Sequence, residues 1–193
     1  GGWSVSDIAP DEKSLLLHNY QSINESQIWW LDVASGTKKL LTPKVGDTKV
    51  SYSEAHYTPD GKSILFTSDK DYEFARLIKM DLATSKWEIL TPNLKWDVSS
   101  FSLSDDGNTL AYVVNEAGVE RLYLWSLKDN KALPAPKLPL GTIGGLQFHS
   151  NHRDLALTIS SAKTSADVYS LDVKSGQLTR WRSEEHTSAL QSP

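Results

Sequence analysis

Short, largely apolar segments recur along the chain at Ser14–Leu17, Ser63–Phe66, Thr109–Tyr112 and Asp154–Leu157, each entered from a polar turn. The turns are Ala9–Lys13, Thr58–Lys62, Ser104–Asn108 and His149–Arg153, and from Pro10 to Pro59, Asp105 and Ser150 the steps are 49, 46 and 45 residues. A second landmark keeps the same period. The segment Leu31–Gly36 is echoed at Met80–Ser85, Trp125–Asn130 and Leu171–Gly176, and from Asp32 to Asp81, Ser126 and Asp172 the steps are 49, 45 and 46. Two landmarks in phase through four copies mark a repeat array. Each copy reads as four short strands rich in β-branched and aromatic residues. In the second copy these are Tyr52–Thr58, Ser63–Ser68, Ala75–Leu82 and Lys86–Thr91. No sustained 3.6-residue apolar stripe is present, so very little helix is expected. Gly36, Ser85, Asn130 and Gly176 share a turn column in which Gly or Asn suits a positive φ.

Four-stranded units of about 45 residues are the signature of β-propeller blades, whose second strands are covered on both faces and can be apolar throughout. The pattern predicts an all-β partial propeller: four blades of four antiparallel strands in an open arc, at about 1–43, 52–92, 98–134 and 145–181. Composition fits a globular chain of 193 residues, with 39% hydrophobic residues and net charge −4. Its 20 basic and 24 acidic residues are interleaved, so no basic stripe points to nucleic acid. No apolar run approaches the ~20 residues of a membrane span, so no membrane partner is expected. The absence of Cys removes disulfides, thiol catalysis and Cys-ligated zinc, and is compatible with cytoplasm or periplasm. The opening Gly1-Gly2-Trp3 lacks Met and reads as a fragment start, leaving the compartment open.

Candidate chemistry reduces to architecture at each place. His149-x-x-His152 resembles a metal pair, but His152 occupies the turn column of Gly61 and Gly107, and a third ligand is lacking nearby. Asp69-x-Asp71-x-Glu73 opens like a calcium loop, then has Phe74 where Gly is needed and Met80 where a bidentate Glu belongs. Glu25, Glu73 and Glu120 recur between second and third strands, either as a polar rim toward a substrate tunnel or, the favoured reading, as repeat architecture. Gly141-x-x-Gly144-Gly145 precedes no helix that could hold a phosphate and reads as an inter-blade turn. Trp96-Asp97 stands before a first strand and does not repeat, against a WD-repeat assignment. Adjacent Trp29 and Trp30 face opposite sides of a strand, at least one of them packing between blades. Ser35 and Ser175 lie in polar turns without a recurring His, while His18, His56 and His149 fall in or beside strands of different blades. The expected inventory is therefore no catalytic residue, no cofactor-binding residue and no metal ligand.

The Pro-Asp-Gly-Lys turn and the Leu-Asp-x-x-Ser-Gly strand pair resemble the blades of TolB-type propellers and of the prolyl oligopeptidase family. Tyr20–Ser26, Lys95–Val98, Leu138–Leu146 and Ala166–Asp172 look closer to the latter, in particular its dipeptidyl- or acylaminoacyl-peptidase-like members. The resemblance spans about 1–181. It implies a propeller that filters short peptide substrates for a C-terminal α/β-hydrolase domain, its partner within the parent chain, which holds the nucleophilic Ser, Asp and His. No Gly-x-Ser-x-Gly elbow occurs in this sequence, so the chain alone is expected to be inactive. The alternative implied by the TolB likeness is a non-catalytic propeller that binds a protein partner.

After Trp181 the chain reads Arg182-Ser183-Glu184-Glu185-His186-Thr187-Ser188-Ala189-Leu190-Gln191-Ser192-Pro193, which resembles a translated sequencing-adapter read-through. Residues 182–193 are accordingly set apart from the fold, and Glu184-Glu185 is not taken for a substrate-binding glutamate pair. Only Ala189 and Leu190 are clearly apolar there, too little to offset an ordering cost of about 1–2 kcal/mol per residue. Deleting 182–193 is expected to leave the thermal unfolding midpoint unchanged, and a clear drop in that midpoint would mark the segment as native structure.

Overall fold

The computed structural model describes residues 1–42, 46, 48–162 and 166–181. The 182–193 segment thus lies outside the described residues. All regular structure among the described residues is β, arranged as four sheets of four strands in chain order. The first sheet holds β1 (Gly2–Ile8), β2 (Ser14–Ser22), β3 (Glu25–Asp32) and β4 (Lys38–Leu40). The second holds β5 (His56–Tyr57), β6 (Ser63–Ser68), β7 (Arg76–Asp81) and β8 (Trp87–Ile89). The third holds β9 (Val98–Leu103), β10 (Thr109–Glu116), β11 (Val119–Ser126) and β12 (Lys131–Ala132). The fourth holds β13 (Thr142–Phe148), β14 (Asp154–Ser160), β15 (Asp167–Asp172) and β16 (Leu178–Arg180). Pairing is antiparallel, with Leu17 opposite Trp29 and Leu65 opposite Lys79. Each sheet is one of the four predicted blades.

The chain divides into two compact units, Gly1–Ser99 and Ser100–Pro193. Alternation along each strand sends successive side chains to opposite faces. In the first unit Leu16 and Ile28 of the first blade meet Ile64, Phe66, Ile78 and Met80 of the second. In the second unit Ala111, Val113, Leu122 and Leu124 of the third blade meet Leu155, Leu157, Ile159 and Leu171 of the fourth. The same strand positions are used both times, and β6 is buried at every position, its Ser63, Thr67 and Ser68 included. Trp30 packs against the first core while Trp29 lies 5.7 Å from Trp3 on the opposite face.

The turns are held by one device repeated with different residues. Asp11, Asp60 and Asp106 each accept, through Oδ1, the N–H two residues on, at 3.1, 3.0 and 3.0 Å, and Asn151 does the same for Arg153 at 3.0 Å. The intervening residue then needs a positive φ: Glu12, Gly61, Gly107 and His152 take 59°, 66°, 71° and 58°. The other turn column has positive φ in all four blades, at Gly36, Ser85, Asn130 and Gly176, so Ser85 at 56° takes a left-handed conformation that costs its glycine counterparts nothing.

Two local readings change. The first strand of the second blade is not continuous over Tyr52–Thr58. Tyr52 makes a lone bridge to Ser68, and regular pairing resumes only at His56. The cause is Ser53, whose N–H donates to the Thr67 carbonyl at 3.0 Å while its hydroxyl, in place of its carbonyl, takes the Thr67 N–H at 2.8 Å. Gly144-Gly145 is not an inter-blade turn either. The pair lies inside β13 at a break in register between Gly144 and Gln147, with Gly145 at φ 62°.

Phe66 is fully buried and meets the Tyr52 and Trp87 rings edge-on at 6.0 and 5.3 Å. Phe66→Ala is expected to cost about 3–5 kcal/mol in urea unfolding through transfer and cavity terms. The Asp106 turn supplies a pH signature. Partial burial works against its charge, but the Ser104 hydroxyl and the Asn108 N–H and side-chain amide outweigh this and hold the carboxyl down to about 2. A depressed native pKa stabilises fully above the ordinary carboxylate range near ~4. That contribution is lost as pH falls through about 2. Urea midpoints measured downward from neutral pH should therefore fall less steeply for Asp106→Asn than for the parent chain.

Candidate functional site

In a four-stranded meander the first-to-second and third-to-fourth turns share one end of the sheet. The second-to-third hairpin and the inter-blade link share the other. The recurrent glutamates lie at this second end, and the structure shows what occupies their position. The N–H at the start of a following blade's first strand is accepted by the start of the preceding blade's third strand. Tyr52 N–H donates to Ser26 Oγ at 2.7 Å, Val98 N–H to the Ala75 carbonyl at 3.0 Å, and Ile143 N–H to Glu120 Oε2. The Ser26 hydroxyl completes its pair by donating to the Tyr52 carbonyl at 2.7 Å. Asp97 of the Trp96-Asp97 pair accepts the Ala75 N–H at 2.7 Å, and Trp96 leans on Phe74 at 6.1 Å. Glu120 is thus a blade clamp. Glu25 reaches Lys49 at 3.9 Å on the surface, and Glu73 is exposed in the bend after β6.

Within the second unit this end carries a cleft of about 330 Å³, walled by Leu138, Pro139 and Ile143 and faced by Glu116, Glu120, Arg121 and Tyr123. Glu116 is the hub. Its Oε1 accepts the Tyr123 hydroxyl and its Oε2 pairs with Arg121 Nε at 2.7 Å. Burial, then the neighbouring Glu116 carboxylate, push the Tyr123 phenol up to about 12, so it remains a hydroxyl donor at neutral pH. Tyr112 stacks beneath Tyr123 at 5.5 Å and fixes the ring. An apolar wall with a few converging polar groups suits binding of a small ligand. Glu116 and Tyr123 carry no sequence signal: seven residues apart, they meet only through the register that pairs β10 with β11.

The other candidates are placed apart from this cleft. His149 Nδ1 takes the Asn151 N–H at 3.1 Å inside its turn. His18 Nε2 lies 2.9 Å from the Tyr52 carbonyl, a contact that orients a ring between blades. Asp69 caps the Ser51 N–H at 2.8 Å, and Asp71 pairs with Lys70, so the calcium-like stretch is a hairpin tied to the incoming link. Among the described residues no group of three His, Cys, Asp or Glu converges as metal ligands do. At the corresponding hairpin end of the fourth blade Asp167 is 2% exposed and pairs with Arg180 Nη2 at 2.6 Å, a contact between strands that sequence spacing does not show.

Four-stranded antiparallel sheets packed face to face in pairs within each unit define the chain as a β-propeller protein. The sequence model of the prolyl oligopeptidase N-terminal β-propeller domain matches residues 3–184, and the chain belongs to that family. Among solved structures, a prolyl endopeptidase superposes with a TM-score of 0.75 at 20% identity, over 91% of this chain and 25% of that one. TolB from Acinetobacter baumannii superposes with a TM-score of 0.72 at 17% identity, over 93% of this chain and 43% of that one. A Mycobacterium tuberculosis puromycin-hydrolyzing peptidase gives 0.71 at 15% identity, over 89% and 27%. At these identities the likeness is one of fold, and the chain spans about a quarter of the two peptidases. No curated protein matches.

The Glu120 clamp can be tested directly. Glu120→Ala leaves the partly buried Ile143 N–H without its charged acceptor and is expected to cost about 1–3 kcal/mol in urea unfolding. Glu120→Gln, which keeps a carbonyl acceptor, should recover most of that loss.

Proposed function

We propose that this chain is the substrate-gating propeller of a serine peptidase that acts on short peptides, with the chemistry carried by an α/β-hydrolase domain of the parent protein. The observation that carries the reading is the family match over residues 3–184, to a domain that is by description the N-terminal propeller of prolyl oligopeptidase. The structural relatives named as prolyl endopeptidases and as a puromycin-hydrolyzing peptidase support it. Acyl transfer needs a nucleophile, a base within hydrogen-bond reach and donors for the oxyanion. The polar groups of the second unit's cleft, Glu116, Arg121 and Tyr123, are instead engaged with one another, as binding groups are. A filter in front of a separate catalytic centre requires nothing more.

A second reading has its own support. TolB proteins are matched over larger shares of their length, 43% in one case and 62% in another, so a propeller that binds a protein partner without catalysis is the alternative. Sequence of the parent gene beyond the codon for Trp181 discriminates the two. A Gly-x-Ser-x-Gly elbow in a hydrolase region supports gating, while further blades followed by a stop support the TolB-like role. The biochemical counterpart is an assay of this chain with chromogenic aminoacyl and dipeptidyl amides and esters, beside the parent protein. No turnover by the chain and turnover by the parent is the expected result. Turnover by the chain above a heat-killed control would overturn the gating role.

A further inference from the structure

At the turn end of the first unit, where the second blade packs on the first, a cleft of about 200 Å³ opens between the two blades. The first blade contributes Asp11, Ser14 and Trp30 to it, and the second Tyr57, Asp60 and Gly61. Its buried hydroxyls are neutral. Ser14 Oγ and the Tyr57 hydroxyl lie 3.0 Å apart. Burial foremost, joined by Asp7 and Asp11, pushes the Tyr57 phenol up against the Ser14 and Trp30 hydrogen bonds, so it stays uncharged at neutral pH. Its carboxylates have capacity to spare. Asp11 and Asp60 spend Oδ1 on their own turns, and among the described residues neither Oδ2 has a hydrogen-bond or ion-pair partner. The Thr58 hydroxyl, then the Lys62 N–H, hold the Asp60 carboxyl below its ordinary range. Lys62 and Lys79 also act on Asp60, but neither lines the cleft, and no other described cation does. Trp30 and Leu82 are shared with an adjoining groove of about 350 Å³ that continues over Leu41 and Ala83, with Lys39 beside it.

The internal repeat shows what the same junction holds elsewhere. Between the third and fourth blades His152 stands in the place of Gly61, Asp106 in that of Asp11 and Asn151 in that of Asp60. The His152 Nδ1 is shielded from solvent, and its ring, behind burial and the Ser104 and Asn108 hydrogen bonds, acts on the Asp106 carboxyl. The second unit therefore supplies a basic side chain of its own to one carboxylate. The first unit has two carboxylates and a glycine. Crowding does not demand that glycine, since a Cβ on Gly61 would meet Pro10 Cδ at 3.6 Å, an ordinary contact. Positive φ does not demand it either, since Glu12 and His152 take 59° and 58° in the same column. Its effect is to leave room beside Asp11 and Asp60. The Trp30 and Tyr57 rings favour a cation there, and an apolar stem carrying a charged head suits walls of this kind.

We propose that the cleft between the first and second blades receives a lysine or arginine side chain of a partner polypeptide, whose adjoining apolar residue lies in the Trp30–Leu41–Leu82 groove. A free amine would use the carboxylates and rings but leave the apolar groove empty, so the groove selects a polypeptide segment. The site is independent of the gating role, since it requires neither a hydrolase domain nor a peptidase substrate.

The test is an amide- and indole-resolved NMR titration of the 193-residue chain. The probes are acetyl-Leu-Lys-Leu-amide and its arginine analogue, whose blocked ends leave the basic side chain as the only charge. Saturable binding of at least one is expected, with a Kd of about 1 mM or tighter and shifts centred on Gly61 and the Trp30 indole. Acetyl-Leu-Gln-Leu-amide, and butylamine as the lysine ammonium without a peptide, are each expected to bind at least roughly tenfold more weakly. Two variants borrow from the second unit. Gly61→His supplies the histidine of the fourth blade, and the double variant Asp11→Asn/Asp60→Asn keeps the Oδ1 acceptors that the turns need, as Asn151 does. Each is expected to weaken the basic peptide by at least roughly tenfold, while unchanged resonances of the second unit check its folding. Absence of saturation, equal binding of the glutamine peptide, or shifts centred on the Glu116–Tyr123 cleft would overturn the proposal. Undiminished binding by either variant would overturn it too. Butylamine binding as tightly as the peptides would mark a site for small amines and exclude the polypeptide partner.

Discussion

The constraint on which the rest depends is the burial of both faces of a middle strand. A four-stranded sheet whose second strand reads Ser63-Ile64-Leu65-Phe66-Thr67-Ser68 has no solvent side to offer, and every position of that strand is buried. Such a sheet is stable only with cover for its apolar faces, and within each unit the neighbouring blade supplies it on one side. Large residues such as Phe66 and Leu157 occur on one side and small ones such as Ala111 on the other. Volume, and not only hydrophobicity, is thereby divided between neighbours.

Apolar packing alone would let one sheet slide over the next. The first-strand N–H prevents this by fixing register. Its acceptor is a hydroxyl at Ser26, a backbone carbonyl at Ala75 and a carboxylate at Glu120, three chemistries in one place. A position that needs only an acceptor tolerates such variety, whereas the turn columns, which need a positive φ and a side-chain acceptor together, vary only among Asp, Asn, Gly and a few strained residues. The hairpin end is where the cleft around Glu116, Arg121 and Tyr123 forms. Structural economy at one end of the blades and chemical variety at the other is an arrangement suited to a domain that holds a shape and admits a ligand.

How far the sequence could be read follows from the range of each interaction. The period of 45 to 49 residues, the antiparallel four-stranded unit and the positive-φ columns are local or repeated, so they stand out in a single chain. His152 and Asp71, from the metal-like and calcium-like patterns, are turn residues with φ of 58° and 64°.

What local pattern could not supply were the places where a side chain replaces a backbone group or crosses between strands. The Ser53 hydroxyl substitutes for a ladder carbonyl and breaks the first strand of the second blade, and Gly144-Gly145 forms a bulge inside β13 where glycines suggested a loop. The Glu120–Ile143 clamp, the Glu116–Tyr123–Arg121 cluster and the pair of buried Asp167 with Arg180 each join residues whose separation carries no periodic signal. Sequence determined the repeating unit, because a strand's alternation and a turn's φ are set by the residues themselves. Tertiary structure alone decided which polar groups meet, because that depends on the register of one sheet against its neighbour.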